Sequence, residues 1–143
     1  MTNTHKAPAD ARIADFEQAI DVRLYQTEAV TPCQTVDPRL SPSGRDLWFS
    51  PFKDKIHAVR ACQQCPFIGR CGYNAVAGRE THGVWGGISL PGIHGHIEEL
   101  EAAYVVLLRQ FKRRMPIELP GLQAPPMPST SVRRRRNGDP AAA

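Results

Sequence analysis

The sequence lacks any apolar stretch that approaches the length of a membrane-spanning helix. Its N-terminus, MTNTHKAPAD, also lacks the apolar segment that a secretory signal peptide requires. We therefore expect a cytoplasmic protein. Thiols stay reduced in that compartment, where clustered cysteines bind metal or carry out redox chemistry more often than they form structural disulfides.

The sequence also lacks the residue groups that support hydrolysis or group transfer. It has no paired carboxylates, no serine–histidine arrangement and no glycine-rich phosphate loop. Strand patterns are scarce, and the chain contains no internal repeat. We therefore expect a protein that is not an enzyme and whose fold is all-α, a small bundle of short helices.

Large apolar residues are few at both ends of the chain. Residues 116–143 are rich in proline and include the run RRRR, so we expect a disordered basic tail there. Residues 1–9 are polar or small, and we expect disorder there too. The remaining segment, 10–115, is predicted to be one domain that ends in a basic helix. At roughly 100 residues it has a marginal core, which a bound metal centre would help to stabilise.

Four stretches are predicted to be helical from their apolar spacing or their flanking residues: 10–29, 52–63, 66–78 and 96–115. The second stretch should direct Ile56 and Val59 inward. The fourth and longest should bury one face, made of Ile97, Leu100, Tyr104, Leu107, Leu108 and Phe111.

Two segments between these helices are expected to be irregular. Thr31-Pro32 ends the first helix and delivers Cys33 into a loop rich in proline, serine and glycine. The stretch THGVWGG contains three glycines, which predict a tight turn with positive φ angles.

Basic residues are concentrated toward the C-terminal end. They are Arg109, Lys112, Arg113, Arg114, Arg133, Arg134, Arg135 and Arg136. Clustered cations of this kind bind polyanions, and arginine is the preferred partner of phosphate. The pattern predicts contact with nucleic acid through this end.

The four cysteines are unevenly spaced. Cys62, Cys65 and Cys71 lie within ten residues, in ACQQCPFIGRCGYN, whereas Cys33 stands alone upstream. Structural zinc sites usually combine two paired units. Iron–sulfur clusters accept ligands from several chain directions, so three local cysteines and a remote one favour that chemistry.

Two other interpretations stay open at this point. One is a structural zinc protein that binds nucleic acid through the same basic end. The other is a protein disulfide reductase that uses Cys62 and Cys65, although a catalytic C-x-x-C pair normally occurs in a βαβ context, which the sequence does not predict.

The order of motifs resembles one family. Cys33 is followed by DLWF (46–49), by C-x2-C-P-x4-C (62–71), by GVWGG (83–87) and by a basic C-terminal stretch. This order is similar to that of the WhiB-like (Wbl) proteins, small iron–sulfur transcription regulators of actinobacteria and their phages. The likeness is close over about residues 30–88 and looser beyond them.

The resemblance implies a function and a set of site residues. Cys33, Cys62, Cys65 and Cys71 would ligate one [4Fe–4S] cluster, around which the helices fold. The family's tight turn near the cluster would comprise Gly83, Val84, Trp85, Gly86 and Gly87. Apolar residues beside the cluster would dock the C-terminal domain of the primary sigma factor of RNA polymerase, here Trp48, Phe49 and Trp85.

The resemblance also implies contacts between the basic residues and promoter DNA, and a cluster that reacts with oxygen or nitric oxide. The chain departs from the family pattern after GVWGG. It continues with ISLPGIHGH in place of a charged helical run, so we expect the DNA-contacting residues to lie further along the chain.

Overall fold

The structure, a computed structural model, describes residues 23–35, 46–51 and 53–132. Its elements, in chain order, are helix α1 (Pro32–Thr35), a 3-10 helix (Leu47–Phe49), helices α2 (Lys55–Cys62) and α3 (Ile68–Ala77), strands β1 (Val84–Trp85) and β2 (Ile88–Ser89), and helix α4 (Ile97–Glu118). Within these ranges the fold is mostly helical with one two-stranded sheet, so the predicted all-α class is confirmed. No helix of the described part is long and apolar enough to cross a membrane.

Helices α3 and α4 pack against each other and form the larger core. Close approach requires Gly72 on α3, because a Cβ atom there would lie 3.0 Å from Cδ2 of Leu107. The ring centroids of Tyr73 and Phe111 are 4.9 Å apart. Five residues of the predicted α4 face are buried, and Ile97 is half-buried; the buried ones are Leu100, Tyr104, Leu107, Leu108 and Phe111.

A smaller core lies between the 3-10 helix, α2, the start of α3 and β1. Helix α2 turns Ala58 and Cys62 into this core, with Val59 packed at its edge. The prediction that Ile56 faces inward is wrong, since its side chain is 45 % exposed. The reason is geometric. Ile56 and Ala58 are two residues apart, which places them on nearly opposite sides of a helix with 3.6 residues per turn.

The GVWGG sequence forms the hairpin of strands β1 and β2, in which Trp85 is paired with Ile88. Gly86 and Gly87 occupy its two-residue turn with φ angles of 54° and 78°, the backbone that a type I′ turn demands. All three glycines of the motif have positive φ, as the sequence predicted. The side-chain amide of Gln110 donates a 2.8 Å hydrogen bond to the carbonyl of Gly86, which holds the turn against α4.

The N-terminal helix predicted over 10–29 falls largely outside the described residues, which begin at 23. The backbone is helical at 23–25 and leaves the helix at Gln26, earlier than predicted. Leu24 is nonetheless buried in the larger core, so this segment packs on the α3–α4 pair.

Cys33 lies in helix α1, and the prediction of a loop at this position is wrong. Pro32 opens the turn, a position that proline favours because its backbone has no N–H to satisfy there. The N–H of Gln34 then donates to the carbonyl of Thr31 over 3.0 Å. One helical turn therefore sets the direction of the Cys33 side chain.

The C-terminal part of the fold extends beyond the predicted boundary at residue 115. Helix α4 continues through Pro116 to Glu118, and the N–H of Leu119 closes its last turn on the carbonyl of Met115 at 2.8 Å. Residues 119–132, which we call the C-terminal strap, then run across the larger core. The expectation that disorder begins at 116 therefore does not match the described residues.

The strap is held by spaced apolar side chains and a few polar bonds. Leu119 is buried, and Leu122, Met127 and Val132 pack against the core. The hydroxyl of Tyr73 donates to the carbonyl of Pro126 over 2.8 Å. A proline-rich segment has few backbone donors to satisfy, so it can lie on a surface without forming a helix or strand. Residues 1–9 and 133–143 lie outside the described residues.

Candidate metal centre

All four cysteines line one cavity of about 560 Å³. Cys33 comes from α1, Cys62 from the last turn of α2, Cys65 from the loop that follows, and Cys71 from α3. All four are free thiols: Cys33 is exposed, Cys62 is buried, and the other two are half-buried. The fold thus brings the remote Cys33 to the three clustered cysteines.

Local backbone geometry explains how the three clustered cysteines reach the same cavity. Cys62 ends α2, and the N–H of Cys65 donates to its carbonyl over 3.0 Å, so the C-x2-C segment forms a turn. Pro66 and Phe67 then reverse the chain into α3. The N–H of Cys71 bonds the carbonyl of Phe67 at 2.8 Å and thereby enters the first turn of α3.

Every cysteine sulfur has a polar neighbour at hydrogen-bond distance. Three neighbours are N–H donors, and the fourth is a hydroxyl. The pairs are Trp48 Nε1 with Cys62 at 3.2 Å, Gly86 N with Cys71 at 3.3 Å, Phe67 N with Cys65 at 3.4 Å, and Thr31 Oγ1 with Cys33 at 3.2 Å. Such donors stabilise negative charge on sulfur, which is what a metal-bound thiolate carries.

Burial opposes ionisation of the three clustered thiols. It raises the pKa of Cys62 and of Cys65, and it raises the pKa of Cys71 from 9.0 to about 12. The N–H of Gly86 acts in the opposite direction on Cys71, and the neighbouring cysteines add to the rise. In the metal-free protein these thiols are therefore protonated at neutral pH, and a metal must displace their protons on binding.

The donor set fits an iron–sulfur group. Among the described residues, no three histidine, cysteine, aspartate or glutamate side chains converge tightly enough to hold a single metal ion. The four sulfurs instead surround a cavity that could contain a group of several metal atoms. Thiolate ligands select soft metals and iron–sulfur clusters. The residues present are thus consistent with such a cluster in the number and type of their donor atoms.

Aromatic side chains form one wall of the cavity and part of its rim. Trp48 is buried at 6 % exposure, whereas Phe49 is 49 % exposed. The ring of Phe49 meets those of Trp85 and His82 edge-on, with centroids 6.3 Å and 5.7 Å away. Of the three predicted sigma-factor contacts, Phe49 and half-buried Trp85 therefore offer surface, and Trp48 offers little.

Residues 26–91 match the family described as Transcription factor WhiB. This segment contains all four cysteines, the 3-10 helix with its two aromatics, and the GVWGG hairpin. This part of the chain is similar to the WhiB family of transcription factors. No curated protein and no solved structure matches it.

The WhiB match ends before α4 begins, although α4 supports the cavity from outside the matched segment. Gln110 on α4 bonds the hairpin turn, and Leu107 packs on Gly72 of α3. No pattern in the sequence indicated the role of Gln110, because a single polar residue in an amphipathic helix resembles any exposed one. Gln110 and Gly86 are 24 residues apart in the chain, so their contact depends on the tertiary fold.

The predicted DNA-contacting residues divide into three groups. Arg109, Lys112 and Arg113 are exposed on α4. Arg114 instead pairs with Glu118, with Nε and Oε2 3.1 Å apart. Arg133 to Arg136 lie outside the described residues. The exposed basic face of α4 therefore comprises the first three residues.

Glu118 and Arg70 are the main residues that sequence reasoning missed near the site. Glu118 falls within the predicted disordered tail, and Arg70 is not among the predicted site residues. The structure has them as a buried pair, with Arg70 Nε 3.0 Å from Glu118 Oε1. The signal was weak: an isolated acid after a run of bases, and an arginine directly before Cys71.

Proposed function

We propose that this protein is a transcription regulator of the WhiB family whose four cysteines, Cys33, Cys62, Cys65 and Cys71, hold one [4Fe–4S] cluster. One observation carries the proposal: four thiols from separate elements line a single cavity, each with a polar partner at its sulfur. We further propose that the cluster-binding domain includes α4, because α4 packs on the helix that carries Cys71.

The protein's own groups would tune the cluster. The indole N–H of Trp48 and the backbone N–H of Gly86 would compensate negative charge on the sulfurs that they face. When bound, the cluster supplies a redox-active centre. Cys33 is exposed, so small molecules such as oxygen or nitric oxide could approach from its side of the cavity. This access supports a sensing role.

The partner that best fits the rim is the C-terminal domain of the primary sigma factor of RNA polymerase. Phe49 and Trp85 present adjoining rings at the edge of the cavity. Rigid aromatics of this kind make effective interface anchors, since they supply large contact area at low entropic cost. Docking there would also cover the cavity, which links the state of the cluster to partner binding.

Promoter DNA is the second proposed partner. Arg109, Lys112 and Arg113 form an exposed basic face on α4, and the arginine run at 133–136 follows the strap. Contacts from these residues would go mainly to phosphates, which fix position and affinity more than sequence choice. Sequence selection would then come from the polymerase to which the protein is docked. A protein with this role would act in the cytoplasm.

The decisive experiment is anaerobic purification followed by analysis of iron, acid-labile sulfide and zinc. We expect a brown protein with the broad visible absorbance of thiolate-to-iron charge transfer. Its iron and sulfide contents should match one [4Fe–4S] cluster per chain. Each single Cys→Ala variant should lose the cluster. A colourless protein with stoichiometric zinc would overturn the proposal in favour of a structural zinc site.

A second assay distinguishes the proposed regulator from an enzyme. A disulfide reductase would reduce a model disulfide rapidly in the apo form and would keep that activity in the Cys33→Ala variant. We expect no such activity, because reactive cysteines have a lowered pKa, whereas burial raises the pKa of Cys62 and of Cys65.

A further inference from the structure

Glu118, the last residue of α4, is a buried carboxylate with four donors around it. Its side chain is 1 % exposed. Oε2 accepts from the N–H of Gly69 at 2.9 Å and from Arg114 Nε at 3.1 Å. Oε1 accepts from the N–H of Arg70 at 3.2 Å and from Arg70 Nε at 3.0 Å. A buried carboxylate is stable only when it is paired and hydrogen-bonded in this way.

Two of those donors are the second and third residues of helix α3. The first N–H groups of a helix have no partner inside the helix, and they carry partial positive charge. Phe67, at the N-cap of α3, makes no side-chain capping bond. Glu118 therefore caps α3 from the far end of α4, about fifty residues away along the chain. Cys71 lies in the same first turns.

Arg70 extends this arrangement to two other segments. Its guanidinium donates to the carbonyls of Arg23 and Gln26, at 2.9 Å and 3.4 Å, in the segment that leads to α1 and Cys33. It also donates to the carbonyl of Pro66 at 3.5 Å. The guanidinium carbon lies 4.6 Å from the centre of the Phe67 ring. Pro66 and Phe67 are the two residues that directly follow Cys65.

We propose that Glu118 and Arg70 act as a positioning pair for the metal centre. Through their hydrogen bonds they hold α3, the cysteine loop and the segment before α1 against the end of α4. This inference rests on the proposed cluster. Glu118 lies outside the segment that matches WhiB, whereas all four cysteines lie inside that segment. The inference therefore assigns part of the support of the centre to a residue beyond the matched segment.

The space around Gly69 agrees with this role. A Cβ at Gly69 would lie 2.6 Å from Oε2 of Glu118 and 2.7 Å from Cβ of Arg114, so the carboxylate sits in a space that glycine leaves open.

The test compares three full-length variants with the wild type, all purified anaerobically. Glu118→Gln removes the charge with little change of shape. Gly69→Ala displaces the carboxylate of Glu118 but removes no charged group. Glu101→Gln is the matched control, because Glu101 is another α4 carboxylate with a hydrogen bond, to the N–H of Val132 at 2.9 Å. The readouts are the rate of iron release to a chelator, the cluster's reduction potential, and helix content by far-ultraviolet circular dichroism.

We expect Glu118→Gln and Gly69→Ala to release iron roughly 10- to 100-fold faster than the wild type, as for outer partners of other metal sites. Helix content should stay near the wild-type value. Glu118→Gln should also raise the reduction potential, because removal of a nearby negative charge favours the more negative reduced cluster. Gly69→Ala should shift the potential less, and Glu101→Gln should change neither readout.

The inference would be overturned if Glu118→Gln released iron at the wild-type rate and had the wild-type reduction potential. Faster release that only follows a loss of helix content would overturn it too, since the pair would then be a general brace. If the wild type itself bound no iron, the proposed function would fail.

Thiol labelling of the apo protein would then decide the inference. Faster labelling of Cys65 and Cys71 in Glu118→Gln would support positioning, and unchanged labelling would refute it.

Discussion

The indole Nε1 of Trp48 lies 3.2 Å from the sulfur of Cys62, fourteen residues further along the chain, in a buried contact. The indole of Trp48 thus donates its only polar hydrogen to the sulfur of Cys62 and not to solvent. Trp48 is therefore better assigned to the metal centre than to a docking surface. Within the DLWF motif, Trp48 is therefore buried and Phe49 is exposed at the rim of the cavity.

Replacement of Trp48 by phenylalanine should lower the reduction potential of the cluster. The variant lacks the N–H···S hydrogen bond to Cys62, which would stabilise the added negative charge of the reduced cluster. The apo protein should lose about 1 kcal/mol of unfolding free energy, a typical value for one hydrogen bond. Spectroelectrochemical titration and urea unfolding measure the two effects.

Trp85→Phe is the control for that experiment. The indole of Trp85 donates to the carbonyl of His82 over 2.9 Å, not to a sulfur. Its replacement should leave the potential unchanged. Equal shifts in both variants would show that ring size, and not the N–H···S bond, sets the potential.

Gly86 should tolerate alanine much less well than another glycine with positive φ. A Cβ at Gly86 would lie 2.9 Å from Cδ2 of Leu107 and 3.0 Å from the carbonyl of Ile68. Left-handed strain of about 1–2 kcal/mol would combine with overpacking of similar size, so Gly86→Ala should cost about 3 kcal/mol. Denaturant unfolding of the apo protein measures this value.

Gly92 provides the comparison, because its φ angle is 86° and a Cβ there would meet no atom within 4 Å. Gly92→Ala should therefore show the strain alone, about 1–2 kcal/mol. If the two variants were equally destabilised, close packing of the hairpin turn on α4 would not contribute to stability.

Phe49→Ala should weaken binding of the sigma-factor domain while the cluster remains. Phe49 is half exposed and packs on Trp85 at the rim. Loss of an aromatic anchor costs about 2 kcal/mol, which corresponds to roughly 30-fold in the dissociation constant. Anaerobic titration of the holo-protein with the domain measures it, and the visible spectrum reports the cluster.

Ile93→Ala is the matched control, since Ile93 is 77 % exposed and does not line the cavity. It should bind the domain as the wild type does. Undiminished binding by Phe49→Ala would remove the rim from the proposed interface.

DNA affinity should depend on Arg109, Lys112 and Arg113 through phosphate contacts, whereas Arg114 should make no such contact. Each lost phosphate contact lowers the slope of log affinity against log salt by about 0.9. A triple alanine variant should therefore bind more weakly and with a flatter salt dependence, measured by anisotropy on duplex DNA. Alanine at 133–136 should have the same kind of effect.

Arg114→Ala should keep the salt slope and lose stability, because it removes one partner of buried Glu118. The expected loss is about 1–3 kcal/mol, the cost of a buried polar group that loses a bond. An unchanged salt slope in the triple variant would assign DNA contact to another part of the chain.

Local patterns in the sequence predicted the parts of the fold that short-range chemistry determines. The spacing of Leu100, Tyr104 and Phe111 predicted the buried face of α4, and three glycines predicted the positive φ angles of the hairpin. The grouping of four cysteines came from their spacing and from the family resemblance. Their lining of one cavity agrees with that interpretation, and their role as ligands stays a prediction.

Contacts between distant segments could not be predicted in this way. Glu118 and Gly69 are 49 residues apart, and no periodic pattern connects them. Composition alone made residues 119–132 look disordered, although Leu122, Met127 and Val132 have a surface to pack on once α3 and α4 are paired. Burial in such segments depends on a partner surface that a single stretch of sequence does not reveal.

The pH dependence of the apo protein should depend on Cys71. Burial raises the pKa of this thiol from 9.0 to about 12, so it ionises more readily in the unfolded chain than in the fold. Below pH 9 its contribution to stability is complete, and between about pH 9 and 12 that contribution is lost as the unfolded state releases its proton. Cys71→Ser should remove this part of the alkaline decline in unfolding free energy, measured by urea unfolding of the metal-free protein. Cys33→Ser should retain it, because the Cys33 side chain is exposed. An identical decline in the wild type and in Cys71→Ser would show that Cys71 is not buried from solvent in the apo state.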